Sequence, residues 1–286
     1  MTETARATLP SLVAEGVLDA ELGALVELLL GARIPALVAG PATADRDALV
    51  DALLGLLPVE AEPIELAGEA EEFEWLPEAT ELGWRREHNV LPASGRDATP
   101  HARSATAVLV TGDLAGSTSS STRGERARLV VRALALGYGL VAGIDADGLE
   151  GVVNRLADPE IGTDEDERSR LGLVLALADT AVGPRIVAAH YLRPLARDQH
   201  GHRQLLPPAV LATWNPVTDT FEHFAWGVMP ELATRLGRSG IEVEREQARR
   251  SAALRSAASD LAPSSRLPRP ARPGAAAPAD GGHVAR

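Results

Sequence analysis

Three short segments carry the residues most able to do chemistry, and each begins within or just after a predicted strand. The second contains the acids Glu65 and Glu69, and the third is Asp113, which follows the run 107–111. The first is a turn before a helical pattern, and its residues are Gly40, Pro41, Ala42, Thr43, Ala44, Asp45, Arg46 and Asp47. A turn that opens a helix can bind an anion, and a carboxylate after a strand can hold a metal ion or accept a proton. The simpler roles are helix capping and turn formation, for which Asp is common at both places.

Composition excludes several other kinds of chemistry. The 286-residue chain has no cysteine, and its 28 basic residues are all arginine. Thiolate zinc sites, cysteine nucleophiles and every mechanism that needs a lysine amine are therefore excluded. The formal net charge of −12 argues against a nucleic-acid partner, because phosphate backbones require a basic surface. An acidic, arginine-only composition is typical both of GC-rich coding and of a salt-adapted cell, and both interpretations stay open.

Hydropathy predicts a cytoplasmic protein without a transmembrane segment. No apolar run reaches the roughly 18 residues of a spanning helix, and the first residues lack the pattern of a signal peptide. His200 and His202 flank a glycine in a polar segment that lacks a companion cluster of acids. We therefore predict no metal site there.

The elements that must position the three segments alternate between strand and helix patterns. Strands are predicted at 34–39, 63–66, 107–111, 140–144, 185–189 and 209–214. Helices are predicted within 1–35, at 47–57, 126–136 and 149–156, in the stretch that follows the acidic segment 164–170, and over 230–260. Residues 77–104 and 117–122 are predicted to be loops.

This order predicts an α/β fold with a mostly parallel sheet, flanking helices, a few late antiparallel strands and a C-terminal helical part. Residues 1–35 form a helical lead-in, 36–230 the core, and 231–262 a helical segment. Residues 263–286 are rich in Pro and Ala, which is typical of a disordered tail.

Over about residues 10–256 the chain resembles the motor domain of type II/IV secretion-system ATPases, most closely the archaeal pilus and archaellum branch. The stretch LVAGPATADRDALVDALLGLLP resembles that family's strand, phosphate loop and helix, and PIELAGEAEE resembles its Asp-box region. The run AVLVTGD resembles its Walker B strand, and GPRIVAAHYL with VLATWNPVTDTFEHF resembles its C-terminal part. The resemblance implies a RecA-like P-loop NTPase core. In that core residues 40–47 are the phosphate loop, Asp113 is the Walker B acid, and Glu65 and Glu69 are Asp-box acids.

The family's motifs are degenerate in this chain. Where a phosphate loop needs Gly, Lys and Ser or Thr, it has Asp45, Arg46 and Asp47. A carboxylate about 4 Å from a phosphate costs about 4 kcal/mol at an effective dielectric near 20, or about three decades of affinity. Asp113 replaces the family's Glu, and the position of its His-box histidine holds Asp145.

These departures predict a protein that has lost efficient ATP hydrolysis and needs no cofactor. We expect a structural or regulatory subunit of a type II/IV secretion or type IV pilus-like system, peripheral at the inner face of the cell membrane. The partners implied are an active paralogous ATPase, a membrane platform protein or further copies of the chain. Two alternatives stay open: a divergent active ATPase that binds ATP and Mg²⁺ through Arg46 and Asp113, and a stand-alone regulator that keeps the fold.

Overall fold

A computed structural model describes residues 7–85, 102–197, 200 and 202–261. Within them the strands are β1 (Ala36–Ala39), β2 (Glu62–Glu65), β3 (Ala107–Thr111), β4 (Gly139–Ile144), β5 (Leu173–Thr180), β6 (Gly183–Tyr191), β7 (Ala196–Arg197), β8 (Arg203–Gln204), β9 (Ala209–Asn215) and β10 (Thr220–His223). The α-helices of the same ranges are α1 (Leu9–Ala14), α2 (Ala20–Gly31), α3 (Ala44–Leu54), α4 (Gly124–Ala133), α5 (Gly148–Ala157), α6 (Glu165–Arg168), α7 (Met229–Arg235) and α8 (Gly240–Leu261).

Eight strands form one sheet in the order β10-β9-β6-β5-β1-β4-β3-β2. The five neighbours from β5 to β2 pair in parallel, whereas β6, β9 and β10 add to β5 through antiparallel pairings. Strands β7 and β8 form a separate antiparallel pair. The fold is therefore α/β with a mostly parallel sheet and late antiparallel strands, as the sequence predicts.

The sheet is buried on both faces, which is why its central strands are almost wholly apolar. Along β1, Ala36 and Val38 face a core that includes α1, α2, α3 and α8, whereas Leu37 and Ala39 face a second core that includes α4 and α5. The chain thus leaves β1 toward one face and leaves its neighbour β4 toward the other. Connections that diverge in this way open a crevice at the carboxyl ends of the two strands.

Helix α2 is buried almost all round. Nine of its 12 residues are buried, because the sheet lies on one side and α1 and α8 pack on others. Its first turn is capped by Asp19, whose Oδ1 accepts a hydrogen bond from the backbone N–H of Leu22 at 2.9 Å.

A histidine joins the start of α2 to the edge strand β10. His223 Nε2 lies 2.8 Å from Asp19 Oδ2, and its Nδ1 lies 3.9 Å from a carboxylate oxygen of Glu21. Burial by itself lowers the pKa of His223, but the hydrogen bond to Asp19 and the charges of Asp19 and Glu21 outweigh it, so that the pKa is raised above 6.5. Burial by itself raises the pKa of Asp19, but the hydrogen bond to His223 outweighs it, so that the pKa of Asp19 is lowered.

The prediction of a helical stretch after 164–170 is wrong. Helix α6 ends at Arg168 after a single turn, and the chain then enters β5. The first five residues of β5, Leu173 to Leu177, are buried between β1 and β6. A continuous apolar run without alternation carries no period that separates a buried strand from a buried helix. The predicted tail, 263–286, and most of the predicted loop 77–104 lie outside the described residues.

Candidate functional site

The candidate residues lie at the carboxyl edge of the parallel strands. Gly40 directly follows β1, Asp113 follows β3 by two residues, and β4 runs between these two strands. This edge includes the crevice between β1 and β4, where the helices diverge. Open α/β sheets bind their ligands at such a crevice.

Arg46 fills this crevice from α3 and is only 2 % exposed. Its Nη1 donates a hydrogen bond to the carbonyl oxygen of Gly40 at 3.1 Å, and its Nη2 donates to the carbonyl oxygen of Gly112 at 3.2 Å. The same Nη2 lies 3.5 Å from Asp113 Oδ1. The guanidinium therefore connects the end of β1 to the end of β3 across β4, and its charge is directed into the protein.

The other carboxylate oxygen of Asp113 is held by the loop that follows it. Ser121 donates its hydroxyl to Asp113 Oδ2 at 2.7 Å, and the backbone N–H of Thr122 donates to the carbonyl of Asp113 at 3.0 Å. A Cβ added to Gly116 would lie 1.5 Å from Asp113 Oδ2, so the chain approaches the carboxylate at a place where only glycine fits. With its side chain 17 % exposed, Asp113 is largely enclosed by its own loop.

The predicted surface loop 117–122 is therefore only partly on the surface. Ser121 and Thr122 are fully buried, whereas the four residues before them are exposed. The loop is also fixed from α5, because Arg155 donates two hydrogen bonds to the carbonyl of Ala115, at 2.6 and 3.0 Å. Ala115 has a φ of 70°, a left-handed conformation that costs a residue with a side chain about 1 kcal/mol or more. Sequence reasoning missed these contacts because the low-complexity pattern resembles a solvated loop.

The turn at 40–47 lacks the features of a phosphate cradle. Helix α3 already begins at Ala44, and residues 40 to 47 contain no left-handed residue of the kind that aims successive backbone N–H groups at an anion. Pro41, Ala42 and Thr43 are exposed, as are the carboxylates of Asp45 and Asp47 in the first turn of α3. With Arg46 turned inward, the side chains of this turn meet an approaching nucleotide with negative charge. The residues present do not fit ATP with Mg²⁺.

Glu65 and Glu69 lie on the β2 side of the same edge and stay apart from Arg46. Glu65 is the exposed last residue of β2, with Val110 of β3 as its register partner. Glu69 forms an exposed ion pair with Arg123, and its backbone N–H donates to the carbonyl of Ser119 at 3.1 Å. The two acids thus face solvent, and Glu69 helps to attach the β2 edge to the loop that encloses Asp113.

Gly143 of β4 is part of the site, although sequence reasoning did not select it. A Cβ at this position would lie 2.3 Å from the carbonyl oxygen of Gly112 and 2.9 Å from Arg46 Nε. The guanidinium can cross β4 because this residue has no side chain. The available signal was a glycine inside an apolar strand run, which often marks a close approach.

In the described part of the chain, no three His, Asp or Glu side chains are grouped so that they could hold a metal ion. The rings of His200 and His202 have centroids 6.2 Å apart. None of the helices in the described ranges is both long and apolar enough to span a bilayer.

A scan against protein-family models matched nothing, and neither did a search of curated proteins. The geometry at the carboxyl edge of the sheet is therefore the basis for assigning a function.

Proposed function

We propose that this chain is a degenerate RecA-like P-loop protein that does not hydrolyse ATP. In this proposal it serves as a structural or regulatory subunit of a type II/IV secretion or type IV pilus-like system. It would act through its surfaces on an active paralogous ATPase, a membrane platform protein or further copies of itself.

One observation carries the proposal. A working phosphate loop aims its cation out of the loop at the phosphates, whereas Arg46 is buried and its contacts go to Gly40, Gly112 and Asp113. The cation is thereby occupied by the protein, and the Walker B-like acid is occupied with it. The position of the turn after β1 and of the acid after β3 supports descent from a P-loop core. The contacts of Arg46 with Gly40, Gly112 and Asp113 support a loss of nucleotide binding.

The alternative of a divergent ATPase would require Arg46 to leave this environment. Moving the guanidinium out would remove the side-chain donor from the carbonyl of Gly40 and leave the carboxylate of Asp113 with only the hydrogen bond from Ser121. An uncompensated buried group costs about 1–3 kcal/mol, and more when it is charged. Nucleotide binding would have to supply that free energy against the repulsion of Asp45 and Asp47.

Calorimetry with ATP and Mg²⁺, at low and at multimolar salt, tests the proposal. We expect no saturable heat from the natural chain up to about 1 mM nucleotide, which corresponds to a binding free energy weaker than about −4 kcal/mol. Saturable binding at micromolar nucleotide, lost in Asp113→Asn, would contradict the proposal and favour the divergent ATPase.

A matched variant separates the two reasons for exclusion. Asp45→Gly/Asp47→Thr removes both exposed carboxylates and leaves Arg46 in place. Because the guanidinium still fills the crevice, we expect this variant to remain without binding. If it binds ATP at micromolar concentration, repulsion alone silences the site and the inward arginine does not. The further change Arg46→Lys, added to this pair, then tests recovery of a phosphate-directed cation.

The subunit role needs its own assay. We expect the purified chain to change the rate of ATP hydrolysis by a secretion or pilus ATPase from the same cell, at stoichiometric concentration. An unchanged rate, together with no complex in analytical ultracentrifugation, would favour the stand-alone regulator instead.

A further inference from the structure

A second concave site lies at the opposite edge of the sheet. Its cavity of about 790 Å³ is lined by residues that precede parallel strands, namely Pro35 before β1, Tyr138 before β4 and Arg170 before β5, and by Tyr191 at the end of β6. Strand β1 has four residues and strand β4 has six. At about 3.3 Å per residue, about 13–20 Å of strand separates this cavity from Arg46. Its volume lies within the range of small-molecule sites, about 300–1,000 Å³.

The charged lining of this cavity is mainly cationic, in a chain whose net charge is −12. Arg33, Arg170 and Arg235 approach it from three different segments, and Glu231 is the one acidic residue of its lining among the described residues. Glu231 is already paired, because Arg193 Nε donates to its carboxylate at 2.8 Å. The three guanidinium groups of the lining therefore exceed the negative charge that faces them.

Two of these guanidinium groups make their hydrogen bonds to neutral oxygens. Arg33 Nη1 donates to the carbonyl of Ser104 at 2.8 Å, and Arg235 Nη1 donates to the hydroxyl of Tyr191 at 3.2 Å. Arg170 instead has a half-exposed ion pair with Asp166 at 3.1 Å, and such a pair contributes little. Among the described residues no carboxylate forms an ion pair with Arg33 or Arg235, so both guanidinium groups can pair with a ligand.

Both groups are also held in place before any ligand arrives. The guanidinium of Arg235 lies 5.6 Å from the ring centroid of Tyr191, which is almost fully buried and cannot turn away. The guanidinium of Arg33 is held by the hydrogen bond of its Nη1 to the carbonyl of Ser104, and the backbone of Arg33 has a left-handed φ of 54°. The remaining lining is largely apolar and includes Leu134 and Leu206. Fixed guanidinium groups beside an apolar wall are complementary to an anion with an apolar body.

We propose that this cavity binds a small organic anion. A carboxylate or phosphate monoester would be held by the guanidinium groups of Arg33 and Arg235, and its apolar body would lie against the leucines. This site is independent of the proposed loss of nucleotide binding, because it shares no residue with the Arg46 crevice.

Calorimetry with octanoate and octyl phosphate, each below its micelle concentration, tests this inference. Octanol and inorganic phosphate serve as the tail and the head group alone. We expect at least one of the two anions to bind at least tenfold more tightly than octanol and than inorganic phosphate, and their ratio identifies the preferred head group. Failure of both anions to bind, or binding of octanol with equal affinity, would overturn the proposal.

Variants locate the binding. Arg235→Gln should weaken binding of the anion about tenfold or more, because it removes a charge-assisted hydrogen bond. Arg238→Gln is the matched control, because Arg238 is exposed three residues away and does not line the cavity. Arg33→Asn removes a second positive charge from the lining, and asparagine tolerates the positive φ of this position. This variant replaces Arg235→Gln in the test if circular dichroism shows that Arg235→Gln does not fold. Equal weakening by Arg238→Gln, or none by either cavity variant, would refute the assignment.

Discussion

Replacing Arg46 with methionine should lower the free energy of unfolding by about 4 kcal/mol. Methionine keeps the aliphatic part of the buried side chain but cannot donate to Gly40 and Gly112, and it leaves Asp113 without its cation. Removing one partner of a buried pair costs about 3–5 kcal/mol, because the other partner stays out of water without compensation. Such a loss is a large part of the total stability of a domain, about 5–15 kcal/mol.

Urea unfolding followed by far-ultraviolet circular dichroism measures this loss. Arg249→Met is the matched control, because the side chain of Arg249 is 67 % exposed and its ion pair with Glu246 lies on the surface of α8. Exposed pairs contribute about 0–1 kcal/mol, so the control should change the unfolding free energy by no more than that.

A double-mutant cycle then isolates the pair itself. We expect Arg46→Met/Asp113→Asn to be less destabilised than the sum of its two single variants, because the asparagine leaves no buried charge behind. The reasoning is refuted if Arg46→Met loses less than about 1 kcal/mol, or if the two changes are additive. A loss that small would mean that Arg46 does not connect the two strand ends in solution, and additivity would mean that it does not interact with the carboxylate of Asp113.

Two further predictions follow from the same structure. The pair of His223 and Asp19 should stabilise the fold below the ordinary histidine pKa of about 6.5, and this contribution should disappear as pH rises through the raised pKa of His223. Urea titrations across this window should show a fall in unfolding free energy that His223→Gln lacks; an equal fall in both proteins would exclude the pair. Gly143→Ala should cost about 1–3 kcal/mol, because its methyl group would contact Gly112 and Arg46 at the distances of a clash. Gly151→Ala in α5 is the control, because its added methyl group would meet its nearest neighbours at 3.4 Å; it should be neutral or stabilising by about 1 kcal/mol. The same unfolding assay measures both variants. Equal losses would contradict the close contact of Gly143 with Gly112 and Arg46.

Local sequence pattern predicted much of the fold. The run 107–111 has the bounds of β3, and the predicted helix at 47–57 corresponds to α3, which begins and ends three residues earlier. Strand β5 was missed because its apolar run has no period, and the short edge strand β10 was also missed. The identity of β5 as a strand depends in part on its pairing with β1, which is distant in sequence.

The resemblance implies a phosphate loop at 40–47 and a Walker B acid at Asp113, and the sequence leaves open whether Arg46 faces a ligand or the interior. The spacing of α3 held a usable signal, because position 46 lies three, four and seven residues before Leu49, Val50 and Leu53, which are buried. Residues with this spacing share one face of a helix, so Arg46 belongs to the inward face.

The guanidinium at the carboxyl edge has a thermodynamic consequence. A diffusible ligand occupies a crevice in proportion to its concentration, so a protein that depends on one changes shape with the supply of that ligand. Arg46 is attached to the crevice that it fills, and its occupancy is set by the chain alone. The edge formed by β1, β3 and β4 should therefore keep one conformation whether the cell is rich or poor in nucleotide. Under the proposed loss of nucleotide binding, such an edge presents a constant surface and does not change through a cycle of binding and release.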